Sequence, residues 1–219
     1  MILPYNNLLH LLKQRRSIRR FQHRPIPQDI QNKLLDAARY SPTGGNAQEL
    51  SITIINNPDT RKDLEQSIVS YYDRIIRLLG APFIRWLMRW SGDAKVKETA
   101  RDPEFYIRIS QIYSRMKTEE NNIFYDAPLV MMFHTERLLP TALEDCILAA
   151  YNVVLAAESL DLGSCFVSLS QQALSSSRKI RASMGIPPGD RIHAVLVLGF
   201  PAAHYRRTVP RMKKNVLYR

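Results

Sequence analysis

The stretch from Thr141 to Gly163 constrains the fold most. Its residues Leu143, Ile147, Leu148, Tyr151, Val154 and Leu155 leave few polar positions around a helix. A helix apolar on most sides is predicted to be buried on most sides, which places it at the centre of the molecule. Gly163 is predicted to cap it, since glycine accepts the left-handed conformation in which helices end.

A central helix needs sheet and further helices to cover it, and the flanking sequence supplies both. Leu50 to Ile55 alternates and is β-branched, as strands prefer. Ala127 to His134 is an apolar run of strand length, Cys165 to Leu169 is a third strand, and Ile192 to Phe200 is the strongest of the four. Leu8, Leu11 and Leu12 predict a short helix ending near Arg16. Pro25 and Pro27 force an extended approach to a helix over about 28–40, on which Ile30, Leu34, Leu35 and Ala38 recur at helical spacing. Another helix is predicted over about 171–184. From Asp59 to about Asn122 the pattern is helical but broken at Gly80-Ala81-Pro82 and at Ser91-Gly92-Asp93, which reads as two or three helices forming an excursion. After Pro201 the chain turns basic and loses periodicity. The element order argues one α+β domain with a mixed sheet over all 219 residues.

Composition narrows the function classes. The net charge of +11 favours anionic partners, among them nucleotide phosphates, nucleic acid and acidic lipid. Two cysteines, Cys146 and Cys165, stand in separate segments without a second ligand pair, so no metal cage and no disulfide framework is expected. No apolar run reaches the ~20 residues needed to cross a bilayer. The chain is read as soluble, unprocessed and cytoplasmic.

Two constellations carry candidate chemistry. In Arg15-Arg16-Ser17-Ile18-Arg19-Arg20-Phe21, guanidinium forks and a hydroxyl suit phosphate oxygens. A solvated basic helix end is the plainer reading of that segment alone. In Ser41-Pro42-Thr43-Gly44-Gly45-Asn46-Ala47-Gln48, glycines admit a close backbone approach, and Asn and Gln offer donors and acceptors to a flat heterocycle. A plain helix-to-strand loop accounts for it equally well. Neither is a P-loop or a dinucleotide fingerprint. His10, His23, His134, His193 and His204 show no ligand spacing, and surface or structural roles are expected. Cys165 reads as a small core residue. Phe83-Ile84-Arg85-Trp86-Leu87-Met88-Arg89-Trp90 mixes aromatics with arginines, as membrane-surface and base-stacking segments do, although a cover or dimer-contact helix is preferred.

Taken in order, these motifs resemble the nitroreductase family of FMN enzymes. The resemblance runs from Arg15–Phe21 and Pro25-Ile26-Pro27 through Leu34–Pro42 and Asn46-Ala47-Gln48. It resumes at Asp145 and Asn152–Cys165, and closes with Met184–Gly189 and Leu198–Pro201. It implies a nitroreductase-like α+β fold, with a central mixed, mostly antiparallel sheet flanked by helices in an intertwined homodimer, and a tail at about 202–219 that embraces the partner. It further implies FMN as cofactor and NADH or NADPH as electron donor. Arg15, Arg16, Ser17 and Arg19 would hold the phosphate and ribityl chain, with Arg211 and Lys213 of the tail closing over the phosphate. Pro42, Thr43 and Asn46 would reach the flavin from the partner, and Ser168 and Leu169 would lie along its ring. Glu49-Leu50 stands where the family often has Pro-Trp, Ser168 where Glu or Gly is frequent, and Asp161 where a helix-ending glycine is common.

The implied activity is ping-pong transfer of reducing equivalents to a nitroaromatic, quinone or similar small-molecule acceptor. No catalytic side chain is singled out, and neither nucleic acid nor membrane is expected as a partner. Dehalogenation, ring desaturation or flavin cleavage on the same fold is the first alternative. A basic nucleic-acid or membrane-binding module is the second.

Overall fold

The computed structural model describes residues 4–92, 94, 98, 101–102, 104, 107, 110–111, 113–114, 123–136, 140–203, 205 and 207–219, with Arg85 described by its backbone alone. Helix α1, Tyr5–Gln14, is followed by α2, Gln28–Arg39, and strand β1, Ser51–Ile55. The excursion contributes α3, Pro58–Gly80, and α4, Pro82–Met88, broken at the predicted Gly80–Pro82 step. Asn57 caps α3 by accepting from the amides of Asp59 and Thr60. The second predicted break includes Asp93, and much of 93–122 likewise lies outside the described residues. The chain continues with β2, Leu129–Glu136; α5, Ala142–Ser159; β3, Gly163–Phe166; α6, Ser168–Ser176; α7, Arg178–Ser183; and β4, Asp190–Gly199.

The four strands pair in the order β1-β2-β4-β3, every pair antiparallel. The predicted mixed sheet is corrected accordingly: among the described residues the parallel component is a lone bridge between Ser17 and Ser164. Both faces of the sheet are covered. On one, Val130, Met132, Val195 and Val197 meet Leu64, Ile68 and Tyr72 of α3 and Leu174 of α6. On the other, Met131, Phe133, Leu196 and Leu198 meet Leu34 and Ala38 of α2 and the small residues of α5. Strands buried on both faces carry continuous apolar runs rather than alternation, which is why β2 and β4 were the clearest strands in the sequence. The pairing shifts at Phe133/His134, so that Phe133 faces Ala194 but His134 faces Ile192. This bulge turns Ile192 onto the α3 side.

Four local expectations are corrected. Helix α1 stops at Gln14 rather than near Arg16, because Arg15 already has extended backbone at ψ 126. Gly163 does not cap α5: the left-handed residue is Asp161 at φ 60, after which the Leu162 amide bonds back to the Ala157 carbonyl at 2.8 Å. The strand predicted to run to Leu169 ends at Phe166, and Ser168 and Leu169 open α6. The helix predicted over 171–184 is two helices, parted at Ser177, whose hydroxyl caps α7.

Helix α5 is central but not buried on most sides. Its buried stripe is small, with Cys146, Ala149, Ala150, Val153 and Ala157, whereas Leu143, Ile147, Leu148 and Tyr151 are exposed. An amphipathic pattern made of small against large apolar residues is invisible to a polar/apolar reading.

Candidate functional site

Beyond α1 the chain runs extended along β3. The Ile18 amide donates to the Ser164 carbonyl at 2.9 Å, and the Ala202 amide donates to the Arg20 carbonyl at 3.0 Å. Ile18 is buried against Gly163, where a Cβ would lie 2.7 Å from that of Ile18. The backbone of the basic segment is therefore pinned between β3 and the exit of β4, leaving its polar side chains to be sorted.

They go to different places. The Cys165 thiol donates to the Phe166 carbonyl at 3.4 Å; burial pushes that thiol up, and the Arg19 charge together with the polar groups of Ser17 and Arg19 beside it pulls it back. Arg19 also lies 6.0 Å from the Tyr125 ring. Arg15 acts on Glu158 near the end of α5, whose carboxyl is raised by burial and lowered by the Arg15 charge. Its Nε is buried without a hydrogen-bond partner among the described residues. Arg16 turns instead to the tail, donating to the Arg207 carbonyl at 2.5 Å with its guanidinium 4.4 Å over the Tyr205 ring. Ser168 is exposed at the start of α6, and Leu169 is half-buried, its carbonyl accepting from the Tyr72 hydroxyl at 2.8 Å. Arg211 and Lys213 are exposed in a tail without regular structure.

The second constellation is held elsewhere. Gly45, Asn46 and Gln48 all have φ near +55 to +58, a crowding of left-handed residues that in non-glycine positions stores strain. Thr43 Oγ1 accepts from the Gln48 amide at 3.2 Å, and Asn46 Oδ1 accepts from the Gln48 side chain at 2.9 Å. Pro42 and Asn46 are exposed, and Thr43 is half-buried. The anchor is Asp145: its carboxylate accepts from the Gly44 amide at 3.0 Å and from the Thr141 hydroxyl at 3.0 Å. In the sequence Asp145 stands out only through the family resemblance. A carboxylate on the buried stripe of an apolar helix is the signal that marks it, since such a group must be paired. Replacing Asp145 by Ala leaves two donors without their acceptor, so a loss of about 2 kcal/mol in unfolding free energy is expected by urea denaturation.

Asp145 and Glu158 stand at opposite ends of α5, separated by about 20 Å at 1.5 Å rise per residue. Within one chain, then, the Arg15–Arg19 segment and the Pro42–Asn46 loop do not share a site.

His134 is buried, with Nδ1 2.6 Å from Asp190 Oδ2 and Nε2 3.0 Å from Thr53 Oγ1, tying β1, β2 and β4 together at the bulge. His193 is lowered by burial and by Arg191, and His204 lies outside the described residues. Burial pushes the Cys146 thiol up to about 12, so it is not a thiolate at neutral pH. Among the described residues no cluster of three or more metal-ligating side chains occurs. Likewise, no described helix is long and apolar enough to cross a membrane.

Residues 12–200 match the family model "Nitroreductase family". Among solved structures, an FMN-bound nitroreductase from Desulfitobacterium hafniense aligns with a TM-score of 0.70 at 20% identity, covering 100% of both chains. An FMN-bound nitroreductase from Bacteroides fragilis aligns with a TM-score of 0.69 at 22% identity, covering 97% of this chain and 100% of that one. Iodotyrosine deiodinase 1 of Rattus norvegicus is 20% identical over 212 residues, 94% of this chain and 66% of the deiodinase, so the chain spans just under two thirds of that relative.

Proposed function

Because the chain belongs to the nitroreductase family, we propose that it is an FMN-dependent oxidoreductase that passes reducing equivalents from NADH or NADPH to a nitroaromatic, quinone or similar acceptor by a ping-pong mechanism. The observation that carries this reading is the Arg15–Arg19 segment. Its backbone is clamped by β3 and the exit of β4, and the buried Arg15 Nε lacks a hydrogen-bond partner among the described residues. A fixed backbone presenting guanidinium donors, one of them unsatisfied, fits a phosphate monoester.

In this reading Arg15, Ser17 and Arg19 bind the FMN phosphate and ribityl chain. Arg16 joins them if it leaves Tyr205 and Arg207, and Arg211 and Lys213 add the tail's charge. Ser168 and Leu169 orient the ring system, with Tyr72 steadying the Leu169 carbonyl. The chemistry FMN supplies when bound is two-electron storage, accepting hydride from a nicotinamide and returning it to the second substrate. The protein positions and excludes water, and no acid or base side chain is needed for the first transfer.

The reading includes a homodimer. Pro42, Thr43 and Asn46 belong to the loop anchored at the opposite end of α5 from their own chain's phosphate segment, so in this reading they serve a partner's site. The exposed face of Leu143, Ile147, Leu148 and Tyr151 on α5 and the exposed Val216, Leu217 and Tyr218 of the tail supply apolar surface for that contact. The likeness to the rat deiodinase favours one second reading, reductive dehalogenation of an aromatic ring at the same site.

Purified protein is expected to be yellow, or to become so with FMN, to gain thermal stability with FMN more than with FAD, and to oxidise NADH or NADPH with a quinone or nitroaromatic. Product analysis with a halogenated phenol separates the second reading from the first. Apoprotein that shows no thermal shift with FMN overturns both.

A further inference from the structure

Phe83, Trp86, Leu87 and Trp90 recur along α4 and its closing turn at the spacing that puts side chains on one helical face. All four are exposed, Trp90 to 74% and Phe83 to 65%. Phe83 stacks on Trp86 with ring centres 6.0 Å apart, and Trp86 meets Trp90 at 6.3 Å, so the side chains form a continuous aromatic ladder. Arg89 and Arg101 join the two tryptophans in lining an open cleft of about 390 Å³. Among the described elements, α3 is the one that packs substantially against α4, and it leaves this face uncovered.

A contiguous patch of large apolar side chains in water marks a contact surface. The choice of partner follows from what accompanies the apolar groups. Indole rings have an apolar body and one N–H, which suits the boundary between acyl chains and headgroups. Guanidinium groups beside them pair with lipid phosphate, and the whole chain carries a net charge of +11. We propose that the α4 face is a docking surface for an anionic lipid bilayer. The helix lies in the membrane plane, with Phe83, Trp86, Leu87 and Trp90 at the acyl boundary and Arg89 and Arg101 at the headgroup phosphates. The attachment is peripheral. It replaces the sequence expectation of no membrane partner and does not depend on the redox reading.

Trp86 and Trp90 are the two tryptophans of the chain, so intrinsic tryptophan emission reports on this face alone. Full-length protein is titrated with unilamellar vesicles of phosphatidylcholine, with and without phosphatidylglycerol. With phosphatidylglycerol the emission is expected to shift to the blue and to be quenched by brominated acyl chains, and the binding to weaken as salt is raised. The double variant Trp86→Ala/Trp90→Ala, followed by vesicle sedimentation, is expected to partition at least ~30-fold more weakly, equivalent to ~2 kcal/mol, with an unchanged melting temperature. Arg89→Ser and Arg101→Ser are each expected to lower partitioning about fivefold. Unchanged emission in the presence of vesicles overturns the proposal, as does undiminished sedimentation of the double variant. A blue shift that follows protein concentration without lipid assigns the face to a second copy. One produced by a single-stranded oligonucleotide but not by vesicles assigns it to nucleic acid. Either result overturns the lipid assignment.

Discussion

Replacing Arg19 by Ala is expected to weaken FMN binding about 10- to 150-fold while changing riboflavin binding little. A charge-assisted hydrogen bond contributes roughly 1.5–3 kcal/mol where water is excluded, and riboflavin has no phosphate to receive it. Arg15→Ala is expected to behave alike, because its buried Nε has no hydrogen-bond partner among the described residues. Arg16→Ala is expected to have a smaller effect, since Arg16 must first give up the Arg207 carbonyl and the Tyr205 ring. Arg89→Ala serves as the control for bulk charge. Fluorescence titration of the four variants with both flavins checks the pattern. Equal losses across the variants, or equal losses for both ligands, remove the phosphate from this segment.

Gly163→Ala is expected to damage the fold and the Arg15–Arg19 segment together. The added Cβ meets Ile18 Cβ, Cγ2 and Cγ1 at 2.7–2.8 Å, and these belong to a branched side chain at its rigid root rather than to a flexible tip. Ile18 is held by its own hydrogen bond to Ser164, so relief requires the Arg15–Arg19 segment to lift from β3. Overpacking of this kind costs about 3 kcal/mol. It should lower the urea midpoint and abolish preferential FMN stabilisation together. A variant that melts like the parent and keeps its FMN affinity shows that the segment is not set by this contact.

In the sequence Gly163 reads as a helix cap, a position that favours the absence of a side chain. In the structure Asp161 takes the left-handed conformation and Gly163 makes room for Ile18, a contact between residues far apart in the chain. Likewise Arg15, Arg16, Ser17 and Arg19 stood together as one cationic cluster, although extended backbone sends neighbouring side chains to opposite sides and Arg16 parts from the rest. The face of α5 that remains open was hidden because Leu and Ala are both apolar, and size decides which of them packs against the sheet.

What the amino-acid order determined by itself is the local part: α2 behind its prolines, the break at Gly80–Pro82, the glycine loop before β1, and the apolar β2 and β4. These follow from backbone sterics and from hydrophobic periods read over a few residues. The tertiary structure alone decided the register of the antiparallel sheet, its bulge at His134, the anchoring of Gly44 by Asp145 and the exposure of the α4 aromatic ladder. Each depends on which distant surfaces meet and which remain uncovered. A chain's local preferences leave that open until the core closes around them.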